Sequence, residues 1–337
     1  MVAIAYHCNL REVQGDPEVA ALLDSPAQAA PFDRLAWWQG LADTCGMDAL
    51  MAVARNGSGV AVLPLRHEGR SLEALANWYS FRVRPVLSPG ADACGLIGEL
   101  ASDLARRTAA IRLAPVPDED GSATMIAAAF RAAGWSVASE ACDVNHILRP
   151  AGRSFTEYLA GRPGPLRTTL RRKSSKSEIA IYQSFNADAW DEYETIYEQS
   201  WKPREGSPAF LRSFAEAEGA AGRLRLGIAR VGGNAVAAQF WTVEGGTAYI
   251  HKLAHLKAAR HLSPGTTLTA AMLEQAIDRD RVELVDFGTG DDPYKRDWME
   301  EVRPRYRLEM LRPGAPANWP RFARRTARRL VHAARRG

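Results

Sequence analysis

Cysteine is scarce in this chain. Its 337 residues include four, Cys8, Cys45, Cys94 and Cys142, scattered singly, with no CxxC pair and no histidine at ligand spacing. That pattern argues against a disulfide framework and a structural zinc, and fits a reducing compartment. Long apolar runs are also missing: none approaches the roughly 18 residues a membrane span needs. The start, Met1 to His7, has no charged leader and no long apolar stretch, so no signal peptide is expected. Acidic residues are absent after Glu309, where eight arginines follow: Arg312, Arg321, Arg324, Arg325, Arg328, Arg329, Arg335 and Arg336. Without them, 35 basic residues face 39 acidic ones, so the net charge of +4 belongs to the tail and the body is acidic.

What is present fits a soluble globular chain, with 46% hydrophobic and 24% charged residues and enough length for two domains. The chain repeats itself loosely at a period of roughly 170 residues. Residues 52–65 and 227–240 each read as strand, Gly-containing turn, strand, with Asn56-Gly57 and Gly232-Gly233-Asn234 as hairpin signals. A helical pattern precedes each hairpin: Phe32, Leu35, Trp38 and Leu41 in one copy, Trp190, Tyr193, Ile196 and Tyr197 in the other. A helix and a buried strand follow, Ile111–Leu113 and Val282–Val285. This predicts a mixed α/β fold, two copies of a helix–hairpin–strand–helix–strand unit. The boundary is expected near Arg149-Pro150-Ala151-Gly152, before a capping box at Ser154 and Glu157, giving domains 1–150 and 151–312. Residues 313–320 read as a linker, and 313–337 as linker plus an Arg-rich amphipathic tail.

Chemistry concentrates in 247–298. Ser263-Pro264-Gly265-Thr266-Thr267 starts a helix; its amides at 265–268 would face an anion, with Pro264 where no N–H is needed, or the stretch is an ordinary N-cap. His251, in a strand at Thr247–Ala254, is a candidate general base or a structural histidine. Asp286 ends a strand and is a candidate proton acceptor or the cap of the Gly288-Thr289-Gly290 turn. A metal site from Asp286, Asp291 and Asp292 lacks a histidine partner, and none is expected. Arg162, Arg167, Arg171, Arg172, Lys173 and Lys176 read as a solvated basic face or an anion clamp.

Four motifs in order, Ser200-Trp201-Lys202, Leu262-Ser263-Pro264-Gly265, Val285-Asp286-Phe287-Gly288-x-Gly290-Asp291 and Tyr294-Lys295-x-x-Trp298, resemble the GNAT-superfamily acyltransferases. The similarity is to the two-domain CelD-like (cellulose-biosynthesis) branch, related to Fem-type aminoacyl transferases, strongly over 150–310 and weakly over 30–150. It implies two tandem GNAT-like domains, each a mostly antiparallel sheet flanked by helices, the first degenerate. It also implies acyl-CoA, acetyl-CoA above all, as co-substrate gripped by Ser263–Thr267, with the 247–254 strand holding the thioester. Asp286, Tyr294, Lys295 and His251 would be catalytic: Tyr294 protonating the thiolate, Lys295 neutralising phosphate or an acceptor carboxylate. Trp201, Lys202, Tyr249, Gly288 and Asp291 would bind the acceptor, a small-molecule, glycan or lipid amine or hydroxyl. One departure stands out: the family's Gln/Arg-x-x-Gly-x-Gly/Ala loop is here Arg260-His261-Leu262-Ser263-Pro264-Gly265, with one glycine. That keeps open a charged tRNA as donor, or a catalytically dead scaffold. The 320–336 segment carries arginines around Phe322, Thr326, Leu330 and Ala333, which suits an anionic membrane surface; a cytoplasmic protein peripheral to the inner membrane is the expectation.

Overall fold

The computed structural model of the chain describes residues 2–324, other than 25–27, 29 and 58. The first part runs β1 (Ala3–His7), α1 (Leu10–Gln14), α2 (Pro17–Asp24), α3 (Leu35–Cys45), β2 (Ala49–Asn56), β3 (Gly59–Glu68), β4 (Ser71–Ala74), β5 (Val86–Leu87), α4 (Ala93–Leu104), β6 (Ala110–Val116), α5 (Ser122–Ala132) and β7 (Ser136–Leu148). The second runs α6 (Phe155–Ala160), α7 (Gly164–Lys173), β8 (Glu178–Tyr182), α8 (Ala187–Glu198), α9 (Pro208–Ala220), β9 (Leu224–Val231), β10 (Asn234–Glu244), β11 (Thr247–His255), α10 (Pro264–Glu274), β12 (Leu284–Thr289), α11 (Pro293–Trp298) and β13 (Glu301–Leu311).

The fold is mixed α/β, with two units of the same strand order. In unit one β1, β2, β3 and β4 form an antiparallel ladder, β4 runs parallel to β6, and β6 pairs antiparallel with β13. In unit two β8, β9, β10 and β11 are antiparallel, β11 runs parallel to β12, and β12 pairs antiparallel with β7. The units are not linear halves. Unit one takes residues 1–25, 47–142 and 304–337, and unit two takes 26–46 and 143–303. The closing strand of each comes from the other stretch of chain: β7 follows α5 but pairs with β12, and β13 follows α11 but pairs with β6. A single cut near residue 150 therefore separates strands that belong together. Of the Arg-rich tail, residues 325–337 lie outside the described residues. The expected linker is anchored: Asn318 is buried and its amide donates to the carbonyls of Ala109, at 2.7 Å, and Arg312, at 3.1 Å.

Local signals explain most elements. Gly232 and Gly233, at φ 56° and 80°, close the β9–β10 hairpin with both central residues left-handed, the geometry a twisted two-residue turn demands. The capping box at Ser154 forms, with both reciprocal bonds. β9 and β10 are buried on both faces because helices cover both. From β10, Gln239 bonds Thr269 of α10 at 2.6 Å, while the next residue, Phe240, points the other way to Trp190 and Phe214. Gly227 lets α10 lie close on the sheet; a Cβ there would fall 2.6 Å from Met272 Sδ and 2.9 Å from Leu268 Cδ1.

The segment 31–45 is held on unit two by aromatic and ionic contacts. Trp37 meets Phe210 and Phe214 edge-on, and Phe32 meets Tyr249. Arg34 bridges Glu218 at 3.0 Å and Glu244 at 3.1 Å. Burial outweighs Arg34 at Glu244 and pushes its carboxyl up to about 7. Because the folded value lies above the unfolded one, this group's stabilising contribution is complete below about pH 4.5 and is lost as pH rises through 7. Glu244→Gln is therefore expected to gain stability over the parent at pH 8, by about 1–3 kcal/mol, and to match it more nearly at pH 5. Urea titrations at the two pH values check this; parallel curves at both would rule it out.

Candidate functional site

The site begins where two strands part. β11 pairs with β12 only through Thr247, Ala248 and Tyr249, opposite Leu284, Val285 and Asp286. Beyond that, β11 stays with β10 as far as His255, while β12 turns to β7, with Thr289 opposite Asn145. The edge of β11 from residue 250 on thus has no ladder with β12, and a wedge opens between them. Parallel pairs with diverging ends leave backbone polar groups facing a crevice, where α/β sheets bind ligands.

The N-terminus of α10 sits at the mouth of that wedge. A Cβ on Gly265 would lie 3.2 Å from the Cδ2 of His255, so α10 and the end of β11 are in contact there. Ser263 precedes the helix in the left-handed region, φ 56° and ψ 43°, a conformation costly for a non-glycine residue. Its hydroxyl makes no cap to the helix; it accepts instead from Lys173 Nζ at 3.0 Å, and the same ammonium reaches the His261 carbonyl at 2.8 Å. Thr267 N–H donates to the Ser263 carbonyl at 3.2 Å and Pro264 has no N–H. The first-turn donors left without an intrahelical acceptor are those of Gly265 and Thr266, both half-buried. Thr267 is buried, its hydroxyl 3.4 Å from the Ser263 carbonyl. Lys173 comes from the basic run; Arg162 of that run pairs with Glu300, and Arg167 bonds the Arg162 carbonyl.

Trp201 forms a wall. It is exposed, its ring 4.3 Å from that of His255, with Lys202 Nζ 5.6 Å from the indole centre. Burial lowers the pKa of Lys202, and also that of Lys252, which binds Glu205 at 2.8 Å. Lys202 acts electrostatically on both Lys252 and Lys295, so three ammonium groups gather here with Asp292. His255, at the centre of this contact, was not singled out in the sequence; only its place as last residue of β11, ahead of the Ser-Pro-Gly stretch, pointed to it.

The other residues divide. Asp286 is buried, its Oδ2 accepting from Asn145 at 2.9 Å and its Oδ1 from the Gly288 N–H at 2.8 Å, so its carboxylate caps the glycine turn. Lys295 is buried rather than facing a substrate: Nζ donates to the carbonyls of Gly288 at 3.2 Å and Thr289 at 2.5 Å. Burial brings its pKa down to about 8, against the pull of Asp292 and Asp286. Tyr294, edge-on to Phe287, is pushed well above the usual phenol range by burial and by Asp292. It holds its proton and serves as a hydrogen-bond donor more readily than as a general acid. Asp291 is exposed and paired with Arg296 at 2.6 Å and His146 at 3.0 Å, which hold its carboxyl below the usual range.

Two expectations need correction. His251 is not a poised general base. It is the extra residue of a bulge, since Phe240 pairs with Lys252 and Trp241 with Ile250. The bulge turns its ring among Phe32, Phe214, Phe240 and Tyr249, with Nε2 2.8 Å from the Thr242 hydroxyl. Burial there pushes its pKa down to about 3, which leaves a neutral, weakly basic imidazole at pH 7. Tyr249, expected to bind an acceptor, is buried in the same aromatic group, 3% exposed. Among the described residues, no group of three His, Cys, Asp or Glu side chains is placed to hold a metal ion, and no helix is long and apolar enough to cross a membrane.

Comparison with known proteins agrees with this geometry. Residues 164–296 match the family model described as an acetyltransferase (GNAT) domain. FemX superposes with a TM-score of 0.62 at 12% identity, covering 92% of this chain and 98% of that one. The C-terminal domain of a putative lysylphosphatidylglycerol synthetase from Agrobacterium fabrum gives 0.59 at 14% identity, covering 92% and 94%. A tandem GNAT protein from the clavulanic acid biosynthesis pathway gives 0.53 at 15% identity, covering 91% and 98%. These likenesses are of fold. No curated protein matches the chain.

Proposed function

We propose that this chain is an acyltransferase whose unit two moves an acyl group from acyl-CoA to an amine or hydroxyl acceptor, a reading supported by the match of residues 164–296 to the family model described as an acetyltransferase (GNAT) domain. The observation that carries this is the meeting of the β11–β12 wedge with the open first turn of α10 at His255 and Gly265. The free N–H groups of Gly265 and Thr266, the helix dipole and Lys173 supply an anion cradle suited to the pyrophosphate of CoA. The unladdered edge of β11 holds the pantetheine arm and points a main-chain donor at the thioester oxygen, where negative charge grows as the acceptor attacks. The acceptor nitrogen bonds to the acyl carbon, the carbon–sulfur bond breaks, and the proton leaving the nitrogen ends on the departing thiolate. No covalent enzyme intermediate is needed; positioning supplies much of the rate. Trp201 and Lys202 line the acceptor side, and Lys295 and Asp286 fix the glycine turn beneath it.

A second reading is aminoacyl transfer from a charged tRNA. It is favoured by the single glycine at the helix mouth and by likeness to FemX and to a putative lysylphosphatidylglycerol synthetase over more than nine-tenths of the chain. Thiol release from a panel of acyl-CoAs with amine acceptors, run beside thermal melting with CoA, separates the two. The CoA reading expects turnover and a raised melting temperature, because CoA binds the folded state. No shift at millimolar CoA, with tight salt-dependent binding of tRNA instead, would transfer the assignment to tRNA.

A further inference from the structure

Unit one holds a cavity of about 840 Å³ that the acyl-transfer reading does not use. It lies at the starting ends of β4 and β6, lined by Ser71 and Leu72 on one strand and Thr108 to Ala110 leading into the other. In unit two the wedge opens at the opposite, finishing end of the corresponding parallel pair, β11 and β12. The cavity is thus no degenerate copy of the donor cradle.

Its lining is strongly one-signed. Among the described residues five arginines face it, Arg70, Arg106, Arg107, Arg312 and Arg321, and no carboxylate does. Arg106 and Arg107 share the carboxylate of Asp103, which also accepts from the Tyr6 hydroxyl at 2.8 Å. Those three contacts are consistent with its carboxyl lying below the usual range despite burial. Arg107 lies over the Tyr6 ring at 3.9 Å, and Arg312 spends a donor on the Ala105 carbonyl, with no carboxylate paired to it among the described residues. Arg70 and Arg321 have no side-chain partner among the described residues. Five guanidinium groups around one hollow, with one carboxylate between them, repel one another until an anion enters.

We propose that this cavity binds a phosphate-bearing ligand. Planar guanidinium forks match phosphate oxygens in pairs, and several around one hollow suit more than one phosphate oxygen at a time. The inner wall is apolar, with buried Leu50 and Leu72, so the ligand presents an apolar part inward and its phosphate to the arginine rim. The volume is that of an ordinary small-molecule site rather than of a single ion. A lipid headgroup and a soluble organic phosphate share this chemistry.

The test uses the full chain and its Arg70→Glu, Arg321→Glu double variant, whose changes fall on exposed side chains and spare the core. Calorimetry with inorganic pyrophosphate and with soluble dihexanoyl phosphatidylglycerol is expected to show binding that weakens steeply with salt. The double variant should bind at least about tenfold more weakly, a loss comparable to that of charge-assisted hydrogen bonds, and should keep its melting shift with CoA. A Gly265→Val variant should keep phosphate binding, so failure of this site and failure of the donor reading are read separately. Tighter binding of the lipid than of pyrophosphate assigns the headgroup as the source; the reverse assigns a soluble phosphate. No binding of either probe at 10 mM, equal binding by the double variant, or binding confined to an RNA oligonucleotide would overturn the proposal.

Discussion

Replacing Gly265 with valine is expected to lower CoA affinity by about two to three orders of magnitude while the chain stays folded. A side chain at 265 starts 3.2 Å from the His255 ring, and its γ-methyl groups spread over the mouth where the Gly265 and Thr266 amides open. Each hydrogen bond from such an amide to a charged phosphate contributes about 1.5–3 kcal/mol, and losing two accounts for the drop. Calorimetry with CoA measures it, and circular dichroism confirms the fold. If valine also perturbs folding, Gly265→Ala paired with His255→Ala removes the steric conflict and should recover most of the affinity. Undiminished CoA binding in the folded valine variant would place the donor grip elsewhere in the molecule.

Lys295→Met is expected to cut kcat/KM by about a hundredfold with a smaller effect on melting. The methionine fills similar space but leaves the Gly288 and Thr289 carbonyls without their donor, so the turn beneath the acceptor loses its brace. A misplacement of about 1 Å at a reacting centre costs roughly this much in rate. Melting responds less because burying the ammonium is itself unfavourable, as its pKa of about 8 records. The sign of the pH dependence follows. The folded value lies below that of a free lysine, so this group's stabilising contribution is present above pH 10.5 and is lost as pH falls through about 8. The brace itself is strongest while the amine is charged, so parental activity should decline above pH 8, and the variant should lack that limb. An unchanged profile in the variant would remove Lys295 from the site's support.

Much of the local structure was legible because its causes are local. The Gly232-Gly233 turn, the Ser154 capping box and the Pro264 helix start each follow from the conformational limits of a few adjacent residues. The choice between a general base and a structural histidine at His251 was not legible, for the opposite reason. Alternation along a strand places it on one face, but a bulge is a property of two paired strands, and it moved the ring into an aromatic group contributed by distant helices and by the segment before α3. For Lys295 the resemblance implies a contact with phosphate or an acceptor carboxylate; whether its amine meets a ligand or two carbonyls depends on where α11 folds back.

By itself the sequence determined the strand and helix types, the tandem repetition and the acyltransferase resemblance. Periodicity, turn chemistry and motif order are all written along the chain. Tertiary structure alone decided that β7 closes unit two and β13 unit one, that His255 meets Gly265, and that five arginines from four separate stretches surround one hollow. Each of these joins residues far apart in sequence, and their pairing is set by which buried surfaces fit together rather than by any local preference.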